Sequence, residues 1–190
     1  MSNIRPHDLE IGDRISFVTL DLAGIDGQEL SVTAVNTYAF YGNSNYAEFT
    51  LSNQRGDIFF MSIEMEDGEQ YLTLSKELQA SEIEEILGQN GLEQAVAAPV
   101  GTMIDVQNEP ASAEGWTATR YKKDEAGEAA KFAAADFRKS TPELWDAFEY
   151  HLFLDQMGEM ALEIEDYGDG EIEASLTCYP DFEEIQAINR

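Results

Sequence analysis

The 190 residues include 38 acidic and 11 basic side chains, which gives a formal net charge of -27 at pH 7. A field this negative repels phosphates and anionic lipid headgroups, so we expect neither direct nucleic acid binding nor membrane-surface binding. A hydrophobic content of 43% and an aromatic content of 11% are typical of a globular protein and exclude disorder along the whole chain. The same charge attracts metal ions, polyamines and basic proteins. Solubility, or adaptation to a salty cell interior, is the explanation of the charge that we favour over a dedicated electropositive partner.

Cellular location is inferred from three further features. No stretch of about 18 apolar residues exists, so we predict no membrane insertion. The opening segment MSNIRPHDLE has no apolar core and no cleavage-site pattern, which is unlike a secretory signal. The single cysteine, Cys178, cannot form an internal disulfide bond. These features predict a cytoplasmic protein.

The first half of the chain alternates runs rich in β-branched and aromatic residues with glycine-containing turns. The predicted strands are 14–22, 30–41, 46–52, 57–66 and 69–74, and the turns are 24–27, 42–45, 53–56 and 67–68. Ser81 and Glu84 then match a capping box, which predicts a short helix to Leu87 that ends at Gly88 or Gly91.

In the second half, residues 90–99 are predicted to join two units, with strands at 100–106 and 116–121 around a polar loop. Three alternating runs follow between Trp145 and Cys178. Asp181 and Glu184 match a second cap, which predicts a closing acidic helix. Residues 124–139 are ambiguous, because their alanines favour a helix whereas their place in the chain favours a strand. We predict a helix or irregular turn there, followed by a short extended piece.

An internal repeat relates the two halves. Glu48-Phe49-Thr50-Leu51 matches Glu149-Tyr150-His151-Leu152, and both copies continue as strand, Asp-Gly turn, strand and capped helix. The predicted fold is therefore α+β and β-dominated: two related antiparallel β-meander units, 1–89 and 100–190, each closed by a short helix and packed as one compact body. The predicted core residues are Phe17, Val32, Phe49, Leu51, Met61, Ile63, Tyr150, Leu152, Leu162, Ile164, Leu176 and Phe182.

Catalytic and metal-binding patterns are weak. Strand alternation places Cys178 inside and His151 outside, which separates the pair that nucleophilic catalysis would need. Two histidines and one cysteine do not match a zinc site. The acidic turn 165–171 fails as a calcium loop, because Tyr167 and Leu176 occupy ligand positions. We predict no catalytic residue, no metal site and no cofactor.

Acidic residues on the last strands form the candidate binding surface. Glu163 and Glu165 share one strand and Glu171 and Glu173 its neighbour, with Glu149 on the strand beyond. Like charges opposite one another destabilise a sheet, so the pattern is unusual, and a docking face for a basic partner is one interpretation. A hydrated face that hinders edge-to-edge aggregation is the other interpretation.

The motif W-x-x-x-E-Y-x-L, then glycine, L-E-I-E and a G-D-G turn, resembles a bacterial family known only as a domain of unknown function, DUF4178. The residues that carry the resemblance are Trp145, Glu149, Tyr150, Leu152, Gly158, Leu162, Glu163, Ile164, Glu165 and Gly168-Asp169-Gly170. The resemblance covers mainly residues 145–188, with a fainter echo in residues 9–75. It implies β-rich halves, and it implies no activity, catalytic residue or cofactor.

We therefore predict a non-enzymatic binding or accessory module that engages a basic protein, a polyamine or another cation. One alternative is an immunity-type antagonist or nucleic-acid mimic that occupies a basic cleft. A metal-dependent hydrolase is the other alternative.

Overall fold

A computed structural model describes residues 5–18, 20–40, 44–66 and 69–190. In these ranges the chain forms one antiparallel sheet of eleven strands and two short α-helices. The strands are β1 (Arg14–Phe17), β2 (Glu29–Phe40), β3 (Ser44–Ser52), β4 (Ile58–Glu66), β5 (Glu69–Glu77), β6 (Met103–Asp105), β7 (Arg120–Ala133), β8 (Asp146–Leu154), β9 (Met160–Gly168), β10 (Glu171–Cys178) and β11 (Ile185–Asn189). The helices are α1 (Ala80–Leu87) and α2 (Gly91–Ala97). The protein is thus β-dominated, as the sequence predicts.

The sheet closes on itself. Its strand order is β11-β1-β2-β3-β4-β5-β10-β9-β8-β7-β6, and β2 also pairs with β7. Residues 37–40 of β2 lie opposite residues 130–133 of β7, and we call this pairing the seam. Strands β2–β5 and β7–β10 therefore form a closed ring of eight strands, to which both halves of the chain contribute four.

One face of the ring points inward and is largely polar and aromatic. The hydroxyl of Tyr38 on β2 reaches Glu165 on β9, three strands away around the ring, which identifies the side that faces the interior. Paired residues share a face, so Glu48 and its partners Asn36 and Ser62 face the same interior.

The opposite face of the ring is apolar and covered. Leu51, Met61, Leu74, Leu162 and Leu176 lie on it, and each is fully buried. They belong to one core with residues from the segments outside the ring, namely Leu9, Leu22, Ile25, Ile86 and Trp116. Segments outside the ring consequently cover this apolar face, and burial of its surface is the main stabilising contribution.

The prediction for residues 124–139 was wrong. β7 runs as a strand from Arg120 to Ala133, with irregularities between Lys123 and Glu125 and between Ala126 and Glu128. The small side chains of its alanines allow close packing. Ala130, for example, pairs with both Phe40 and Phe148 and leaves room for their rings. Tertiary packing therefore overrides the helix preference of alanine.

Several predicted element boundaries also need correction. β1 ends at Phe17. Residues 116–119, which were predicted as a strand, precede β7. The predicted join at residues 90–99 contains α2. α1 is capped by Gln79 and Glu82 instead of Ser81 and Glu84. The cap at Asp181 and Glu184 is confirmed, but it begins a single 3-10 turn that leads into β11 instead of a helix. The predicted turn at 67–68 and residues 42–43 of the turn predicted at 42–45 lie outside the described residues, whereas Ser44 and Asn45 already belong to β3.

Nine of the predicted core residues are buried, and Ile63, Leu152 and Phe182 are partly buried. Cys178 is buried, as predicted. His151 was expected to face solvent, and this is wrong, since only 4% of its surface is exposed. Alternation indicated a solvent face on β8, whereas His151 lies opposite Ile164 on the apolar outer face, which segments outside the ring cover.

Candidate functional site

The interior of the ring contains the candidate site. Two adjoining cavities of about 40 and 70 Å³ lie between β2–β5 and β9–β10. They have six lining residues in common, and we call the space around these residues the chamber. The six are Tyr38, Glu48, Phe60, Ser75, Glu163 and Glu165.

An open hollow of about 600 Å³ adjoins the chamber, and we call it the mouth. Tyr38, Glu48 and Phe60 line both spaces. The remaining side of the mouth combines aromatic rings with carboxylates. These residues are Asn36, Phe132, Trp145, Asp146, Ala147, Tyr167, Glu171 and Glu173.

The aromatic rings form a continuous packed cluster at this end of the ring. The ring centroids of Tyr38 and Phe132 are 4.9 Å apart, and those of Phe148 and Tyr167 are 5.1 Å apart. Phe40 packs edge-on against Tyr150 at 5.0 Å. Such contacts hold the rings in fixed orientations, so the shape of the mouth is preorganised.

Glu48 and Glu163 are acids whose surroundings favour the protonated form. Burial raises the pKa of Glu48 to about 8, although the amide of Asn36 donates a hydrogen bond of 3.0 Å to its carboxylate. Burial also raises the pKa of Glu163 to about 8, and the neighbouring charge of Glu64 adds to the shift. Both groups therefore exchange protons close to neutral pH.

Glu165 is the best hydrogen-bonded carboxylate of the chamber. It accepts hydrogen bonds from the hydroxyls of Tyr167, at 2.6 Å, and Tyr38, at 3.5 Å. Burial nevertheless raises its pKa to about 7. Burial and the nearby carboxylates also raise the pKa of both phenols, which keeps them neutral donors. The chamber thus holds three acids that can each lose or gain a proton near pH 7.

Positive charge is missing from this lining. Among the described residues that line the chamber and the mouth, none is lysine, arginine or histidine. The acids are close enough to raise one another's pKa, since the charge of Glu165 acts on Glu48 and that of Glu173 acts on both. The carboxyl groups in this space have little contact with water, and no described lining residue offers them a positive charge. A cation that enters would supply that charge.

The five predicted docking residues do not form one surface. Glu163 and Glu165 lie in the chamber, and Glu171 and Glu173 lie at the mouth. Glu149 is exposed on the other side of β8, where its carboxylate lies beside Gly127. The sequence grouped these residues only because they alternate with apolar residues. Alternation does not show which face of each strand points into a closed sheet.

Sequence reasoning missed Glu48, Tyr38 and Tyr167. Glu48 stands between Ala47 and Phe49 in a strand that looks half-buried, so local alternation gives no sign that its carboxylate is buried. The available signal was the polar row across successive strands, in which Glu48, Ser62 and Thr73 occupy matching positions. Reading that row requires the strand register, which the turns alone do not give.

Comparison of the chain with family models, with curated proteins and with solved structures gives no match. In the part of the chain that the structure describes, no group of three or more His, Cys, Asp or Glu residues is placed to hold a metal ion. Within the same residues, no helix has both the length and the apolar character needed to cross a membrane.

Proposed function

We propose that this protein is a non-enzymatic binding module for a primary ammonium group, which passes the mouth and enters the chamber. The ligand is a linear polyamine or a lysine side chain of a basic protein. One observation carries the proposal: buried acids and ordered aromatic rings line one continuous space, with no cationic side chain among the described lining residues. The overall charge of -27 would draw such ligands toward the molecule.

The aromatic rings support an organic cation as the ligand. Cations are attracted to the faces of tryptophan, tyrosine and phenylalanine, by about 0.5 to 2 kcal/mol per favourable contact. Trp145, Tyr38 and Phe132 surround the mouth, and the carboxylates of Glu171 and Glu173 lie beside them. A cation with an apolar stem would satisfy both kinds of group at once.

The dimensions of the chamber favour an ammonium group over bulkier cations. A water molecule occupies about 30 Å³ of liquid, so cavities of about 40 and 70 Å³ suit an ammonium and the first methylenes of its stem. The group has three donors, which match the carboxylates of Glu48 and Glu165 and the hydroxyl of Ser75. A planar guanidinium or a quaternary ammonium is wider and would remain at the mouth.

Binding should release protons. Near pH 7 the acids of the chamber are partly protonated, because their pKa values lie at about 7 to 8. A bound cation favours the ionised form, so it displaces these protons, and the affinity rises as pH increases from about 6 to 9.

Isothermal titration calorimetry with a linear diaminoalkane at low salt tests the proposal. We expect binding that strengthens between pH 6 and 9, releases protons to the buffer and exceeds the binding of guanidinium or tetramethylammonium. The double variant Glu48→Gln/Glu165→Gln should bind at least about tenfold more weakly. The matched control Glu159→Gln/Glu183→Gln removes two exposed charges and should bind as the parent does. Equal weakening in both variants, or no binding at any pH, would reject the proposal.

We also propose that the two halves arose by duplication, as two related β-meanders. Support comes from the strand order, in which β1 and β6, β2 and β7, and β3–β5 and β8–β10 occupy equivalent places. The equivalence of Met61 and Leu162 agrees with this, since both lie on the apolar face. Phe49 and Tyr150 lie on opposite faces, so the alignment of β3 with β8 must shift by one residue.

The relation to the DUF4178 family and a cytoplasmic location are further proposals. The motif that carries the resemblance falls on β8, on β9 and on the turn before β10. The lone thiol of Cys178 is buried and its pKa is raised to about 12 by burial, which suits a chain that relies on no disulfide bond.

A further inference from the structure

His151 occupies an unusual position on β8. Its side chain is almost fully buried, and its Nδ1 accepts a hydrogen bond of 3.1 Å from the backbone N–H of Gly127. An imidazole that accepts at Nδ1 is neutral and carries its proton at Nε2. That Nε2 is buried without a hydrogen-bond partner in the described part of the chain.

Gly127 lies where β7 departs from regular pairing. The pairing of β7 with β8 shifts register between Lys123 and Glu125, and again between Ala126 and Glu128. Gly127 has a φ of +68°, which glycine adopts without strain. Its N–H has no partner in the β8 backbone ladder, so the imidazole of His151 supplies the acceptor that the irregular strand lacks.

The segment beyond Gly127 closes the ring. Residues 130–133 of β7 form the seam with residues 37–40 of β2, which is a short pairing of four residues. Ala130 and Phe132 of this segment also pack in the aromatic cluster, and Phe132 lines the mouth. The irregular region of β7, with the hydrogen bond of Gly127 to His151, therefore lies directly before the seam along the strand.

We propose that His151 is an acid-sensitive latch: protonation of its Nδ1 removes the acceptor for Gly127 and releases the seam between β2 and β7. The imidazolium would place an N–H against the N–H of Gly127, two donors without an acceptor. Release of the seam opens the ring beside the mouth. The latch is a property of the fold and does not depend on any ligand.

The charged groups around His151 set the pH at which it acts. Lys123 on β7 opposes protonation, whereas Glu149 on β8 and Asp166 on β9 favour it. Burial has the largest effect and, with Lys123, lowers the pKa of His151 below its ordinary value of 6.5. The unfolded or opened chain then binds the proton more readily, so acidification below about pH 6 shifts the equilibrium toward opening.

Nuclear magnetic resonance spectroscopy between pH 7.5 and 4.5 tests the latch. The imidazole shifts of His151 report its protonation, and amide exchange at residues 37–40, corrected for its intrinsic pH dependence, reports the seam. We expect exchange at the seam to rise at least about tenfold in step with protonation. A seam that stays closed while His151 becomes charged, or a His151 that stays neutral to pH 4.5, would overturn the proposal.

Variants separate the latch from general acid effects. His151→Asn keeps an acceptor oxygen near the Nδ1 position and cannot become charged, so its seam should stay closed over the whole range. His7→Asn removes the other histidine and should open as the parent does. Opening of His151→Asn at the same pH as the parent would contradict the latch. His151→Phe removes the acceptor and should show an open seam at pH 7.5. If that variant does not fold, the comparison of the parent with His151→Asn still decides.

Discussion

At the scale of single residues, the buried cation of Lys123 is the clearest example of a charge that serves the fold. Its side chain has no exposed surface, and its Nζ donates hydrogen bonds of 2.9 Å to the carbonyls of Ala95 and Val96. These carbonyls lie at the C-terminal end of α2, where the helix dipole favours a positive charge. The ring of Phe153 lies 5.2 Å away and adds a cation–π contact.

We predict that Lys123→Met destabilises the protein by about 2 kcal/mol. Methionine keeps the aliphatic stem, but it removes the donor of the Val96 carbonyl and leaves the Ala95 carbonyl only the N–H of Ala98. This loss outweighs the gain from no longer desolvating the ammonium. Urea unfolding measures the free energy. Lys122→Met is the matched control, because Lys122 is the exposed neighbour on the same strand, and it should change stability by less than about 0.5 kcal/mol. Equal effects of the two substitutions would disprove the role of Lys123.

At the scale of elements, the loop before β7 is held against the loop after β1. Trp116 stacks on Phe59 with ring centroids 5.7 Å apart, and its indole N–H donates to the carbonyl of Ala23 at 3.0 Å. Gly115, beside Trp116, has a φ of +82°, and a Cβ there would lie 2.1 Å from the carbonyl oxygen of Asp21. Two backbone segments thus meet at a position that accepts only glycine.

We predict that Gly115→Ala destabilises the protein by about 3 kcal/mol or more, because backbone must move to relieve the contact with Asp21. Gly101→Ala is the control. Gly101 has a similar φ of +89° but open space at its Cβ, so alanine there should cost only about 1 kcal/mol. Thermal unfolding of both variants gives the comparison. Similar melting temperatures would show that backbone strain, and not the contact, decides the effect.

An element can be predicted from the sequence when the residues that determine its conformation are close to it in the chain. Strands β2–β5 of the first half were predicted closely because their alternation and glycine turns are local signals. β7 was missed because its extended form depends on Phe40 and Phe148, which are distant in sequence and crowd Ala130. His151 was assigned to solvent, and the burial of Glu48 was missed, because the residues that surround them are also distant in sequence. Closure of the ring is a property of long-range pairing that turns one face of each strand inward, and segments outside the ring cover much of the other face.

At the scale of the whole molecule, the acids of the chamber link stability to pH. The pKa values of Glu48, Glu163 and Glu165 lie at about 7 to 8 in the folded protein, above the ordinary value of 4.5. Between these limits the folded chain binds more protons than the unfolded chain. Its stability therefore falls as pH rises, by at most about 1.4 kcal/mol per pH unit for each group.

We predict that the free energy of unfolding is higher at pH 5.5 than at pH 8.5, by about 2 to 4 kcal/mol. The acids titrate as a coupled set, and protonation of His151 below about pH 6 offsets part of their stabilising contribution. The triple variant Glu48→Gln/Glu163→Gln/Glu165→Gln mimics the protonated chamber, so it should match the parent at pH 5.5 and exceed it at pH 8.5. A triple variant at the exposed positions Glu85, Glu159 and Glu183 corrects for the loss of net charge. Chemical denaturation at both pH values measures these differences. A parent whose stability is flat or rises over this range, or a chamber variant with the same pH dependence as the parent, would show that the buried carboxylates are ionised in the folded state.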